Sequence, residues 1–238
     1  MPNHSLAIFK AKLFSTPRAL ATGLLVTLMV VVSVSASAQS VANSGMDSLE
    51  RFVSEARSGR ANFVQTVTSP ARTGEAPRVK KSTGTFEFLR PNRFRFFYQK
   101  PFEQTIVADG ETLWLHDVDL NQVTTRKLSQ VLNGTPAAVI AAAANLKGLQ
   151  ADFSLSALPE KAGVQWVMAT PKTRDGQVQN ISVGFRSTAQ GSELASLEIL
   201  DSFGQRSVMN FSRFEANPVF STGYFQFKPP AGADVLRQ

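Results

Sequence analysis

The chain has 238 residues, with 25 Lys and Arg against 18 Asp and Glu, two His and no Cys. Without cysteine there is no disulfide, no thiolate metal site and no lipid-modified N-terminal cysteine. The 18 Phe against two Trp and two Tyr make the aromatic content overwhelmingly apolar.

Lys10, Lys12 and Arg18 precede an apolar, uncharged run over residues 19–34, and Ala36-Ser37-Ala38 then supplies a small-x-small cleavage pattern. The run is short for a bilayer span and nothing later resembles one. Residues 1–38 read as a cleaved secretory signal peptide and residues 39–238 as one exported, soluble domain with a net charge of about +4. A chain of that size buries roughly 70% of its unfolded surface and needs no covalent staple.

Ser44-Gly45-Met46-Asp47 has the S-x-x-D form of a helix start. Met46, Leu49, Phe52, Val53 and Ala56 follow at helical spacing, and Gly59 stops the element. A strand is expected over 62–68 and an exposed loop over 69–82, which is rich in Pro, Gly and charge. In G-T-F-E-F-L-R at 84–90, alternation places Phe86, Phe88 and Arg90 on one face. After Pro91, which cannot donate to a ladder, Phe94, Phe96 and Tyr98 share a face. Asp109-Gly110 suits a type I′ turn between strands 105–108 and 111–116. That turn pairs Ile106 with Leu113, on one face with Leu115. Further strands are expected over 123–128, 152–158, 165–170, 180–185, 195–199, 207–214 and 224–228. So many short antiparallel segments indicate one strongly curved sheet or barrel. Thr135-Pro136 is a good cap-and-N1 pair for a helix over 137–146, stopped at Gly148. Residues 137–144 are apolar on every face, so the helix is expected to be covered.

Catalysis finds little support. The mature chain has one histidine, His116, which reads as a strand end at the surface. With no cysteine, no G-x-S-x-G elbow and no P-loop, the common nucleophilic and phosphate-binding constellations cannot be assembled. R-F-R-F-F-Y-Q-K interleaves cations with aromatics as nucleic-acid platforms do. The export signal and the scattering of the other basic residues favour a half-buried strand with a solvated face instead. The phenylalanine faces suit either a filled core or an apolar-ligand cavity. Arg90 leans toward the cavity, because a guanidinium in a dry core needs several acceptors, although it could also snorkel out at the strand end.

Several segments occur in an order that resembles a known family. They are Asn62-Phe63-Val64-Gln65, F-L-R-P-N-R-F at 88–94, I-V-A-D-G-E-T-L-W at 106–114, Asn133-Gly134-Thr135-Pro136 and F-Q-F-K-P-P at 225–230. Together they are similar to the LolA family of outer-membrane lipoprotein carriers, over nearly the whole mature chain. The resemblance implies a mainly β fold with some α, an unclosed antiparallel β-barrel covered by lid helices that enclose a hydrophobic cavity. It implies a non-enzymatic carrier in the periplasm, monomeric, without cofactor, metal or nucleic acid. Such a carrier accepts triacylated lipoproteins from an ATP-driven inner-membrane transporter and delivers them to an acceptor anchored on the outer membrane. Arg90 matches the family's latch, which hydrogen-bonds lid carbonyls across the cavity. Phe94 matches a rim aromatic and Ile106 a wall aliphatic. The expected wall comprises Phe63, Phe86, Phe88, Phe94, Phe96, Ile106, Leu113 and Leu115. The expected lid helix carries Pro136, Val139, Ile140, Ala143 and Leu146. Phe96 stands where the family often has tryptophan, and the lid helix is unusually rich in alanine. The competing reading is a periplasmic sensor of lipoprotein acyl chains built on the same open barrel.

Overall fold

In the computed structural model, residues 37–71, 73–132, 140–141, 145–173 and 177–238 are described, without the side chains of 37–44. Helix α1 (Ser37–Glu55) is followed by β1 (Ser58–Ser69), β2 (Arg78–Leu89), β3 (Arg93–Lys100), β4 (Gln104–Asp109), β5 (Thr112–Asp117) and β6 (Gln122–Lys127). Two short helices, α2 (Leu128–Val131) and α3 (Leu146–Asp152), precede β7 (Phe153–Lys161), β8 (Val164–Pro171), β9 (Val178–Thr188), β10 (Gly191–Asp201), β11 (Arg206–Ala216) and β12 (Asp234–Arg237).

All the strands join one 12-stranded sheet in the order β12-β6-β5-β4-β3-β2-β1-β11-β10-β9-β8-β7. Since β12 and β7 end the order without pairing, the curved sheet stays unclosed. Neighbours are antiparallel except β12, which runs parallel to β6 with Val235 opposite Val123. The order follows from hairpins on either side of one long crossover: β1 pairs with β2 on one side and with β11 on the other.

Helix α1 packs on the concave face against β7, β8, β9 and β10. Its Leu49, Phe52 and Val53, and Ala56 just after it, the apolar stripe at helical spacing, are all buried. The helix begins before the S-x-x-D stretch, so Ser44 lies inside it rather than capping it. Gly45 is needed there for space: a Cβ would sit 2.4 Å from the Trp166 carbonyl oxygen of β8. Phe52 of α1 joins Phe86, Phe88, Phe94, Phe185 and Phe211 of the sheet in a continuous core.

Several expected boundaries shift. Gly59 lies within β1 and does not act as a helix stop, because α1 already ends at Glu55. β2 begins at Arg78, so the exposed loop is limited to 70–77. Ile106 faces Leu115 and Ala108 faces Leu113, two residues away from the expected register. The two-residue connection has moved on by one, to Gly110-Glu111, with Asp109 Oδ1 accepting from the Glu111 and Thr112 amides and only Gly110 at positive φ, 114°. A two-residue slip leaves every side chain on its face.

Leu146 starts α3 and does not end a lid helix, and Gly148 sits inside α3. Asn145 caps this helix, its Oδ1 accepting from the Gly148 amide at 2.8 Å. The expected helix start at Thr135-Pro136, with Val139 and Ala143, lies outside the described residues. Residues 224–228 form no strand. Phe225 is buried, Phe227 lies against Trp114 and His116, and the Tyr224 hydroxyl bonds Glu87, so this segment covers the convex face instead of joining a ladder.

Candidate functional site

Arg90 ends the β2 alternation and turns in from the 90–92 corner beneath α1. Its Nη1 donates to the carbonyls of Phe52, at 3.1 Å, and Ala56, and less closely to that of Val53. Its Nη2 donates to the Ile140 carbonyl at 2.7 Å. These acceptors suit a cation, since the last carbonyls of a helix lack partners and carry partial negative charge. The guanidinium also lies over the rings of Phe52 and Phe88, with centroids 4.9 and 5.0 Å away. Burial, and then the like charge of Arg57, lower its pKa to about 10, so it remains a cation at neutral pH. Two backbone bonds brace the same corner: the Arg90 amide donates to the Arg57 carbonyl and the Asn92 amide to that of Ala141.

Along the concave face from this corner lies a cavity of about 540 Å³. Phe94 and Phe96 of β3, Ile106 of β4 and Leu113 and Leu115 of β5 form one wall. Leu128, Val131 and Leu132 in and after α2 close a second side, and Leu197, Ile199 and Met209 of β10 and β11 a third. α2 is held in place by its Leu128 amide, which donates to the Glu111 carbonyl at 2.8 Å. Gln65, Tyr98, Thr124, Arg126 and Gln238 add polar groups to the lining.

Five of the expected wall residues therefore come together on the cavity, and three do not. Phe63, Phe86 and Phe88 share the face but lie in the closed core. Phe88 packs on Phe52 and Phe86 on Phe211, with centroids 5.9 and 5.8 Å apart. The difference is coverage: Phe88 lies against Phe52 of α1, while Phe86 is closed in by Phe88, Phe96 and Phe211, and Phe63 by Phe96 and Tyr98. Of the expected lid residues, Ile140 is buried and gives its carbonyl to Arg90, while Leu146 packs at the core's margin. The contributions of β10, β11 and α2 were missing from the sequence reading, although Tyr98 was visible in the alternation of β3.

On the convex face, buried Glu87 accepts from Arg60 Nε at 2.8 Å and from the Tyr224 hydroxyl at 2.8 and 2.9 Å. This cluster fastens the segment after β11 to β1 and β2. His116 of β5 is half-buried against Phe227. No group of His, Asp and Glu among the described residues is arranged to hold a metal ion, and no described helix is long and apolar enough to cross a membrane.

The family model of the outer membrane lipoprotein carrier protein LolA matches residues 54–228. An outer-membrane lipoprotein carrier protein of Albidiferax ferrireducens is 66% identical over 194 residues, covering 82% of this chain and 91% of the relative. One from Leptothrix cholodnii is 54% identical over 194 residues, covering 82% and 86%. One from Neisseria meningitidis serogroup B is 38% identical over 208 residues, covering 87% and 94%.

Proposed function

Because the chain belongs to the family of the outer membrane lipoprotein carrier protein LolA, we propose that it carries lipoproteins to the outer membrane with their acyl chains in the cavity walled by Phe94, Phe96, Ile106, Leu113 and Leu115. The apolar wall beside the Arg90 corner carries this reading. The carrier is periplasmic, exported by the signal peptide of residues 1–38 and acting as residues 39–238. It accepts cargo from an ATP-driven transporter in the inner membrane and yields it to an acceptor anchored on the outer membrane, as a monomer. The sensor reading is not favoured, since the relatives named as carriers are matched over most of their length.

Simple magnitudes show what such a carrier must do. Burying a methylene is worth about 0.8 kcal/mol, so exposing on the order of 45 of them in a triacylated lipoprotein costs roughly 35 kcal/mol. Spontaneous crossing of an aqueous space is excluded on that scale. Non-covalent affinities nevertheless saturate near about −20 kcal/mol, and a carrier must also release. A cavity of about 540 Å³ is sized for one drug-like ligand, so long acyl chains require it to widen. Widening that parts the segment of Ile140 from α1 breaks the Arg90 bonds and offsets part of the gain from burial. Arg90 acts as a latch in this scheme: its bonds favour the empty, closed state, so loading needs an energised donor and release is easy.

The test adds purified residues 39–238 to spheroplasts that make a labelled outer-membrane lipoprotein. Label leaving the membrane in a one-to-one soluble complex is the expected result. No release, in spheroplasts whose transporter works with an established carrier, overturns the reading.

A further inference from the structure

The cavity lining contains a polar group without a partner among the described residues. Tyr98 is the last residue of β3 on the concave face beyond Phe94 and Phe96, and it lines the cavity. Its ring packs edge-on to Phe63, with centroids 5.0 Å apart. Its hydroxyl has no hydrogen-bond partner among the described residues. Gln65 of β1 lines the same cavity; its Nε2 donates to the Ser207 hydroxyl at 2.8 Å, and its Oε1 is without a partner among the described residues. The other long polar side chains of the lining satisfy one another, Arg126 donating through Nε to Gln238 Oε1 at 2.9 Å.

The half-buried phenol keeps part of its hydration in the empty cavity, and a ligand that fills the cavity removes it with no acceptor on the described residues to replace it, whereas phenylalanine would fill the same space at no such cost. Burial also pushes the Tyr98 phenol up to about 12, so it is a neutral O–H donor throughout the physiological range. A donor of this kind is matched by an acceptor on the ligand. Hydrocarbon tails have none; the carbonyls stand where each acyl chain joins the lipid-modified cysteine.

We propose that Tyr98 and Gln65 form a polar subsite of the cavity that takes an acyl carbonyl, ester or amide, at the head of the lipid-modified cysteine, with the Tyr98 hydroxyl donating to the carbonyl oxygen. The subsite rests on the carrier reading and gives the cavity a direction. Tyr98 lies toward the end of β3 remote from the Arg90 corner, so a carbonyl held there sends the tails toward Phe94, Leu113 and Leu128.

The test measures displacement of an environment-sensitive apolar dye from the wild type and from Tyr98→Phe, which keeps the ring and its packing on Phe63. Three probes are used: a synthetic triacylated lipopeptide with two ester carbonyls and one amide carbonyl, its dialkyl-ether counterpart with only the amide, and a carbonyl-free dialkyl glycerol ether. The expected result is about fivefold weaker binding of the triacylated lipopeptide by Tyr98→Phe, with the carbonyl-free ether unaffected. Loss that persists with the ether-linked lipopeptide assigns the amide carbonyl, and loss that disappears assigns an ester; both support the subsite. Equal weakening for all three probes, or none for the lipopeptide, overturns it. A wild type that displaces dye for none of the probes overturns the carrier reading itself.

Discussion

Arg90 Nη2 donates to the Ile140 carbonyl at 2.7 Å while Nη1 of the same guanidinium serves the carbonyls at the end of α1. One side chain thus ties two segments that the sheet alone does not join. Because the cation also lies against the rings of Phe52 and Phe88, the tie is built into the core's margin and is more than a surface contact.

Arg90→Leu keeps apolar contact with those rings and removes every donor. The expected loss of stability is about 2 kcal/mol, the scale of hydrogen bonds made by a charged group, read from a chemical denaturation curve. Loading should persist, because the cavity wall is untouched, while hand-over to an outer-membrane acceptor falls. Arg90→Lys should be intermediate, since an ammonium cannot span acceptors on both segments as a planar fork does. Normal transfer by Arg90→Leu refutes the latch.

Ile106→Asp tests the cavity wall. Ile106 faces Phe96 on one side and Leu115 on the other, both of which line the cavity with it. A carboxylate at this point must remain hydrated or be neutralised, and either result is hostile to an acyl chain. Binding of an apolar fluorescent dye is expected to weaken roughly tenfold or more. Undiminished binding would place the ligand elsewhere.

What the sequence made legible was whatever depends on alternation. Phe94, Phe96, Ile106, Leu113 and Leu115 reach the cavity because each occupies the concave phase of its strand, and that phase survives the two-residue register slip at Asp109. Coverage was not legible: Phe86 and Phe96 are chemically identical neighbours, stacked with centroids 4.5 Å apart, and Phe86 is sealed because Phe88 and Phe211 also pack around it. Met209, and Leu197 opposite it, reach the same cavity because β11 pairs with the distant β1, where Met209 faces Gln65, and such pairing has no local signal. The 224–228 stretch misleads because its aromatic side chains serve Glu87, Trp114 and His116 on the convex face, while the short parallel β12 has no periodicity to read.

Asp109 gives the fold an acid-sensitive joint. Although burial opposes it, the Trp114 indole N–H and the backbone amides of Thr112 and Glu111 hold its carboxyl below its ordinary pKa. A group with a lowered folded pKa stabilises above its unfolded value, about 3.9, and loses that contribution as pH falls through the folded value. Asp109→Asn is therefore expected to melt below the wild type at pH 7, with the gap closing as pH falls from about 4 toward 2. A gap that does not change with pH would show that the carboxylate's charge contributes nothing at this turn.

Gly45→Ala separates helix propensity from packing. In an exposed helix this change stabilises by about 1 kcal/mol. Here the new Cβ would lie 2.4 Å from the Trp166 carbonyl oxygen and 3.3 Å from Val167 Cγ2. A backbone oxygen in a paired strand cannot rotate away as a side chain can, so α1 must lift from β8. Lifting costs about 1–3 kcal/mol, the usual penalty for overpacking, and exceeds the propensity gain. A lower melting temperature is expected, together with stronger dye binding at the margin of α1, where Phe52 and Phe185 lose their seal. A higher melting temperature would show that the helix does not rest on Trp166 in solution.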